Sequence, residues 1–270
     1  MVARDNQSAG DYPGSRRSAT TDSDRRQLRR HEPLWMAVAH ELIDRSVSGT
    51  YPPGSIIPTE VMLCDEFEVS RTVVREAIRV LADKGILEIH RGLGTAVRDP
   101  RYWSVFDSDI LQARLRGGDR ETVLREVLTL RQGIEPELAS RAALAISAEA
   151  CVELTDMLAS MQSVLGDTER YLVADGKFHD FITEQSGVAL GRDVLACITE
   201  PVRLQRQLTS RIPGNPISAH DHHVAIAEAV LAHDPVRAFD AMRLHLQWTE
   251  SRLDAILEVV PKTRAKTRTK

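Results

Sequence analysis

With 270 residues, the chain is long enough for two ordinary domains, and its apolar (42%) and charged (27%) contents are those of a globular protein. No apolar run approaches the roughly 18 residues of a membrane span, and no signal-peptide apolar core opens the chain, so a cytoplasmic protein is expected. A net charge of −4 excludes a protein basic all over, but residues 71–98 set Arg71, Arg75, Arg79, Lys84, Arg91 and Arg98 against Glu76, Asp83 and Glu88. Phosphates feel such local charge, within a Debye length of about 8 Å. Cys64, Cys151 and Cys197 lie far apart without CxxC spacing and read as reduced, buried small apolar residues.

Residues 1–30, rich in Ser, Asp, Arg and Gly, read as a disordered tail. The first folded unit is expected over 31–98. A helix near 33–47 carries Leu34, Val38 and Leu42 at helical spacing, and a turn-rich break at Gly49–Gly54 ends it. Thr59 caps a short helix with Val61, Leu63, Cys64 and Phe67. Ser70 then stands at the N-cap of a helix over 71–81 that turns Val74, Ala77, Ile78 and Leu81 to one side. Arg71, Thr72, Arg75 and Arg79 are left outside. In isolation that face could equally be solvated; the cap, the preceding helix and the element that follows favour the DNA major groove. That element is two short strands, 86–90 and 95–98, around a glycine turn. Three helices plus a hairpin make a winged helix-turn-helix.

These residues resemble the GntR family of bacterial repressors. The resemblance rests on Gly49-x-Tyr51-x-Pro53-Gly54, Pro58-Thr59-Glu60, Phe67-x-Val69-Ser70-Arg71-Thr72-x-Val74-Arg75-Glu76-Ala77 and Gly92-x-Gly94-Thr95. It implies DNA contacts from Arg71, Thr72, Arg75 and, at the wing tip, Gly92; Arg79 and Arg91 complete the candidate set. Val61 departs from the family, which commonly has a DNA-contacting arginine there.

Residues 99–118 read as a linker, and 119–259 as an all-α bundle with helices near 119–145, 147–165, 167–186, 190–210, 217–233 and 235–259. Pro136 is expected to kink the first, while Asp234 and Pro235 mark the start of the last. The basic segment 260–270 reads as a tail that adds non-specific DNA affinity.

Asp175 and His179 are i, i+4 on one helix face. His223 lies 11 residues before Asp234 and His245 11 after it, so in an antiparallel hairpin both sit about 16 Å from the turn and face each other. Three imidazoles and a carboxylate suit Zn²⁺ (zinc) or a similar divalent ion with open positions for an oxygen ligand. Spacing alone leaves open that these are ordinary satisfied histidines, as His220, His222 and His233 nearby are expected to be.

Residues 124–246 resemble the FCD-type ligand-binding domain of the FadR subfamily. The matching pieces are Leu130-Arg131-x3-Glu135-Pro136, Asp175-x2-Phe178-His179, His223-x2-Ile226-x2-Ala229 and Ala241-Met242-x2-His245-Leu246. In the metal-binding branch the ligands fall on Asp175, His179, His223 and His245. The fatty-acyl-CoA branch lacks that set. Arg131 is either a salt-bridge partner of Glu135 or, as the resemblance favours, a clamp for an effector carboxylate. Val188 stands where the family often has Asn; Arg203, Arg206 and Arg211 are further cationic candidates. Trp103-x3-Asp107-x-Asp109 resembles regulators of sugar-acid catabolism and tilts the effector toward an aldonate or hexuronate.

The expected protein is mainly α and binds operator DNA as a homodimer. It is a repressor released by a small carboxylate at a metal site. Two alternatives remain at this point: a metal-dependent hydrolase or lyase using the Asp/His cluster, and a regulator whose metal is structural. Against the enzyme, Glu184 lies more than a turn beyond His179 and no other general base is evident.

Overall fold

The computed structural model describes residues 33–259; the expected tails, 1–30 and 260–270, lie outside the described residues. Helix α1 (Leu34–Val47) buries Val38, Ala39, Leu42 and Ile43. Helix α2 (Glu60–Phe67) is capped by Thr59, whose hydroxyl accepts from the Met62 amide. It ends at Glu68, which sits at φ 54° and turns the chain into α3 (Arg71–Asp83). The buried face of α3 is Val74, Ala77, Ile78 and Leu81, the four residues its period selects. Ser70 holds the N-cap position, but its side chain makes no capping bond.

Strand β1 (Leu87–His90) pairs antiparallel with β2 (Gly94–Val97), Leu87 opposite Val97. The chain after Gly54 extends this wing: Ile57 N donates to Thr95 O and Val97 N to Ser55 O, each at 2.9 Å. Gly92 (φ +79°) and Gly94 (φ +105°) take the left-handed conformations of the turn. Wing and helices share one core in which Leu42, Leu63, Val74, Leu81, Ile86 and Val97 are buried.

The segment 99–118 is more than a linker. It contains a 3-10 turn at Pro100–Tyr102 and helix α4 (Ser108–Arg116), capped by Asp107, whose Oδ1 accepts from the Asp109 and Ile110 amides. Ile110, Leu111 and Ala113 give α4 a buried face, which is why it folds rather than merely connects. Lys84, just past α3, pairs with Asp107 and, at 2.9 Å, with Asp109.

Seven helices follow: α5 (Arg120–Ala145), α6 (Ala148–Ser163), α7 (Thr168–Gln185), α8 (Ala189–Cys197), α9 (Thr199–Thr209), α10 (Asn215–Leu231) and α11 (Pro235–Val259). The helix expected over 190–210 is thus two. Pro201 has no amide to bond the Cys197 carbonyl, and its ring clashes with that carbonyl, so the helix breaks at Ile198. Helix α5, by contrast, runs unbroken through Pro136. Asp234 caps α11 by accepting from the Arg237 amide at 2.9 Å. Helices α5, α7, α10 and α11 surround a core with Leu128, Phe178, Ile226 and Leu246 each at most 2% exposed. Helix α4 packs on α1 at one side and on α5 and α9 at the other. Among the described residues, no helix is long and apolar enough to cross a membrane. The cysteines are free as expected but not buried: Cys64 and Cys151 are half-buried and Cys197 is exposed.

Candidate functional site

Two regions carry the candidate residues. On α3, Arg71, Thr72, Arg75 and Arg79 are all exposed, because the buried face takes the alternate positions. Arg75 Nε donates to Glu60 Oε2 at 2.8 Å across the turn. Both side chains are well exposed, so the pair is weak and yields readily to a phosphate or base. At the wing tip Arg91 and Gly92 are exposed, and Leu93 beside them is 77% exposed. Val61, in place of the family's arginine, stands exposed on α2. A helix-turn-helix with one cationic face and a neighbouring wing is a DNA-binding surface.

The second region lies inside the bundle. Helix α7 supplies Asp175 and His179, α10 supplies His223, and α11 supplies His245. His179, His223 and His245 each offer a ring nitrogen, all within 4.8 Å of one another, and all three are buried. The rings of His223 and His245 are 4.7 Å apart, as their equal distance from Asp234 requires. Asp175 Oδ1 lies 3.2 Å from His223 Nε2, and its other oxygen faces Arg206 in an ion pair. Nitrogen and oxygen ligands about 2.1 Å from one ion stand roughly 3 to 3.5 Å apart; the Asp175–His223 distance meets this, and the imidazole nitrogens, up to 4.8 Å apart, would draw together by about 1 Å around a shared metal.

Further side chains hold the rings. Glu135 Oε2 accepts from His179 Nδ1 at 2.7 Å, and the Tyr171 hydroxyl bonds His223 Nδ1 at 3.1 Å. Arg131 sets its fork on both oxygens of Glu135 and reaches Gln205 Oε1 at 3.1 Å. Anchoring Nδ1 leaves the opposite nitrogen pointing inward: His179 Nε2 and His223 Nε2 are buried without a hydrogen-bond partner, as is His245 Nδ1. Buried polar atoms are normally satisfied, and three orphans facing one point mark a place for a ligand ion.

Electrostatics fit that chemistry. Burial pushes His223 down to about 3, against the opposing pull of Asp175. Burial likewise holds His245 well below the ordinary imidazole value, with His223 and His179 adding to it. Both rings are therefore neutral at pH 7 and carry free lone pairs. Burial raises Glu135 and Asp175, but nearby positive charge outweighs it. The Arg131 guanidinium acts on Glu135 and that of Arg206 on Asp175, so both stay carboxylates below their ordinary values.

The structure gathers the expected His179, His223 and His245 with Asp175 alongside. It places Arg131 beneath them, 2% exposed, with its donors already engaged. Glu135 appears in the sequence only as Arg131's i+4 partner; its bond to His179 spans 44 residues and no periodicity announces it. Tyr171 and Gln205 carry no sequence signal at all. Of the nearby histidines, His233 is satisfied by the Ala143 carbonyl at 3.0 Å, whereas His220 Nδ1 is buried without a partner.

The fold and its cationic face define a DNA-binding protein of the winged-helix class. Residues 35–97 match the bacterial regulatory proteins of the gntR family, and residues 126–247 match the FCD domain. An uncharacterized HTH-type transcriptional regulator of Escherichia coli K12, YieP, is 28% identical over 82% of this chain and 96% of its own length. The Exu regulon transcriptional regulator of the same organism is 30% identical over 80% of this chain and 83% of its own. Its galactonate operon transcriptional repressor is 30% identical over 51% of this chain and 60% of its own. The chain belongs to the GntR family of bacterial transcriptional regulators, and its FCD domain fits the FadR-like subfamily. It is a DNA-binding transcriptional regulator and not an enzyme, which sets aside the hydrolase or lyase alternative.

Proposed function

We propose that this regulator is a cytoplasmic repressor that leaves its operator when a small carboxylate, in particular a sugar acid, binds at a divalent metal in the helical domain. Residues 31–98 form the DNA-binding domain and 119–259 the effector-binding domain. Two copies place two α3 helices on a palindromic operator, contacting it through Arg71, Thr72, Arg75, Arg79, Arg91 and Gly92. Asp175, His179, His223 and His245 hold the metal, with zinc the best match to this donor set. The observation that carries the reading is the convergence of three buried, unpartnered imidazole nitrogens.

When bound, the ion supplies a Lewis-acidic point with open positions for an oxygen ligand. The protein's own groups do the rest. Glu135 fixes His179 in the Nδ1–H form, and Arg131 keeps Glu135 ionised and in place, its positive charge favouring an anion in the site. A cavity of about 400 Å³ borders His179, lined by the cations Arg206, Arg203 and Lys177 and by the carboxylates Glu135, Glu169 and Asp180. Its size suits a small organic ligand. The sugar-acid assignment draws support from the likeness to the galactonate operon repressor. Mechanical continuity favours regulation: α5 and α9, which carry Arg131, Gln205 and Arg206, pack on α4, and α4 is tied to Lys84 at the end of α3. The effector acts by binding one arrangement of these helices better than the other.

Thermal unfolding of the full chain with a panel of sugar acids, zinc-loaded and again after chelation, tests the reading. An acid that binds only the native, loaded protein raises its midpoint and not that of the stripped protein. If chelation alone lowers the midpoint and no acid moves it in either form, the metal is structural and the effector lies elsewhere.

A further inference from the structure

Two guanidinium groups flank the histidine centre, and they differ in what a ligand can reach. Arg131 is committed to Glu135 and Gln205 and is sealed in the bundle. It positions His179 through Glu135. Arg206, from α9, faces one carboxylate, Asp175, and its side chain remains 18% exposed. It lines the cavity of about 400 Å³ together with His179. It also borders a pocket of about 30 Å³ lined by Asp175, Arg131 and His245. Arg206 therefore borders both the cavity and the centre.

Gly176 adds an independent observation. It lies inside α7, where glycine is about 1 kcal/mol less favourable than alanine. A Cβ there would sit 3.4 Å from Arg206 Nη1, and Gly176 lines the same cavity. Its missing side chain keeps the space beside the guanidinium open.

We propose that Arg206 is the receptor for an organic carboxylate entering between α7, α8 and α9, and that it exchanges partners: Arg206 passes from Asp175 to the incoming carboxylate while Asp175 passes to the metal. This rests on the metal reading above and moves the clamp role from Arg131 to Arg206. The ligand class is a carboxylic acid with a hydroxyl-bearing body. Thr183, Thr199 and Gln207 line the cavity with hydrogen-bonding groups, and Leu172 and Val202 offer a face for its carbon chain.

The exchange has a thermodynamic consequence. Separating the buried ion pair for one ligand alone leaves the other partner's charge uncompensated, Arg206 when only metal is bound and Asp175 when only acid is bound, which is costly. With both bound, Asp175 and Arg206 each regain an opposite charge. Metal and acid uptake are then positively coupled, and linkage requires each to tighten the other by the same factor.

The test is zinc affinity of the full chain, measured by competition with a chromophoric chelator, with and without D-galactonate or D-glucuronate. In the wild type an acid should tighten zinc by about fivefold or more. In Arg206→Gln, zinc alone should bind more tightly than in the wild type, since Asp175 is free, and no acid should change it. Gly176→Leu keeps the charge but narrows the cavity; it should still take up zinc while losing the response to acid. An Arg206→Gln protein in which acid tightens zinc as in the wild type overturns the exchange and leaves the metal-and-effector reading standing. Zinc binding by the wild type without any response to either acid also overturns it. Absence of zinc binding by the wild type removes the metal reading itself.

Discussion

Glu135 shows how single residues build the buried centre. It is a carboxylate in the core, tolerated because Arg131 supplies opposite charge and both Arg131 and His179 supply hydrogen bonds, from two sides. As an ionised acceptor it dictates which nitrogen of His179 carries the proton, and so which one faces inward. Replacing it by Gln keeps the volume but removes that dictation, because an amide can donate as well as accept. Glu135→Gln should weaken zinc binding by about 10- to 100-fold, as loss of such an orienting partner does elsewhere. Chelator competition checks this, with circular dichroism to confirm that the helices persist; an unchanged zinc affinity would refute the orienting role.

At the scale of elements, the join between α3 and α4 is the feature with the clearest energetic content. Lys84, Asp107 and Asp109 are all less than a third exposed, and His40 Nε2 lies 3.4 Å from Asp109. Lys84→Met strands both carboxylates and should cost about 2 kcal/mol in urea unfolding. The effect has a definite pH range. Burial raises Asp109, but its bond to Lys84 outweighs this and leaves it below 3.8. Its contribution is therefore complete above about pH 4 and is lost as pH falls through the lower native value. Burial lowers Lys84, yet Asp107 and Asp109 prevail and hold it above 10.5, so its contribution is complete below that. The difference between wild type and variant should be level from pH 5 to 9 and shrink below pH 4. A difference that is already shrinking at pH 6 would place the energy elsewhere. Much of the element plan is legible in the sequence because it rests on local repeats. The α3 period selects Val74, Ala77, Ile78 and Leu81, and those are the residues buried. Helix α4 is not legible in that way: nine residues give too few turns to display a period, and the Asp107 cap reads as a charged linker. The break at Ile198 is encoded by Pro201, but a helix can also run through a proline, as α5 does at Pro136. The centre divides similarly. Asp175 with His179, and His223 with His245, follow from i, i+4 spacing and symmetry about one turn. The contacts of Glu135, Gln205 and Arg206 cross 31 to 74 residues and become visible only once the helices pack.

On the scale of the whole molecule, charge is segregated. The tract 71–98 presents its cations on α3 and the wing, while residues 101–260 are acidic, so DNA is drawn to the first and repelled by the second. The histidine centre lies among the later helices, and α4 joins them to the DNA-binding unit by packing on α1, α5 and α9. The most direct test of the link is operator affinity of the zinc-loaded protein, measured by fluorescence anisotropy on a site selected from random DNA while sugar acids are titrated. Arg75→Ala serves as the variant whose DNA binding should be lost at the outset. If the buried centre is the sensor, one acid will weaken operator binding in the loaded wild type and will leave His223→Ala unaffected. Operator affinity that no acid changes, or that changes equally in His223→Ala, would contradict a role for the histidine centre in sensing.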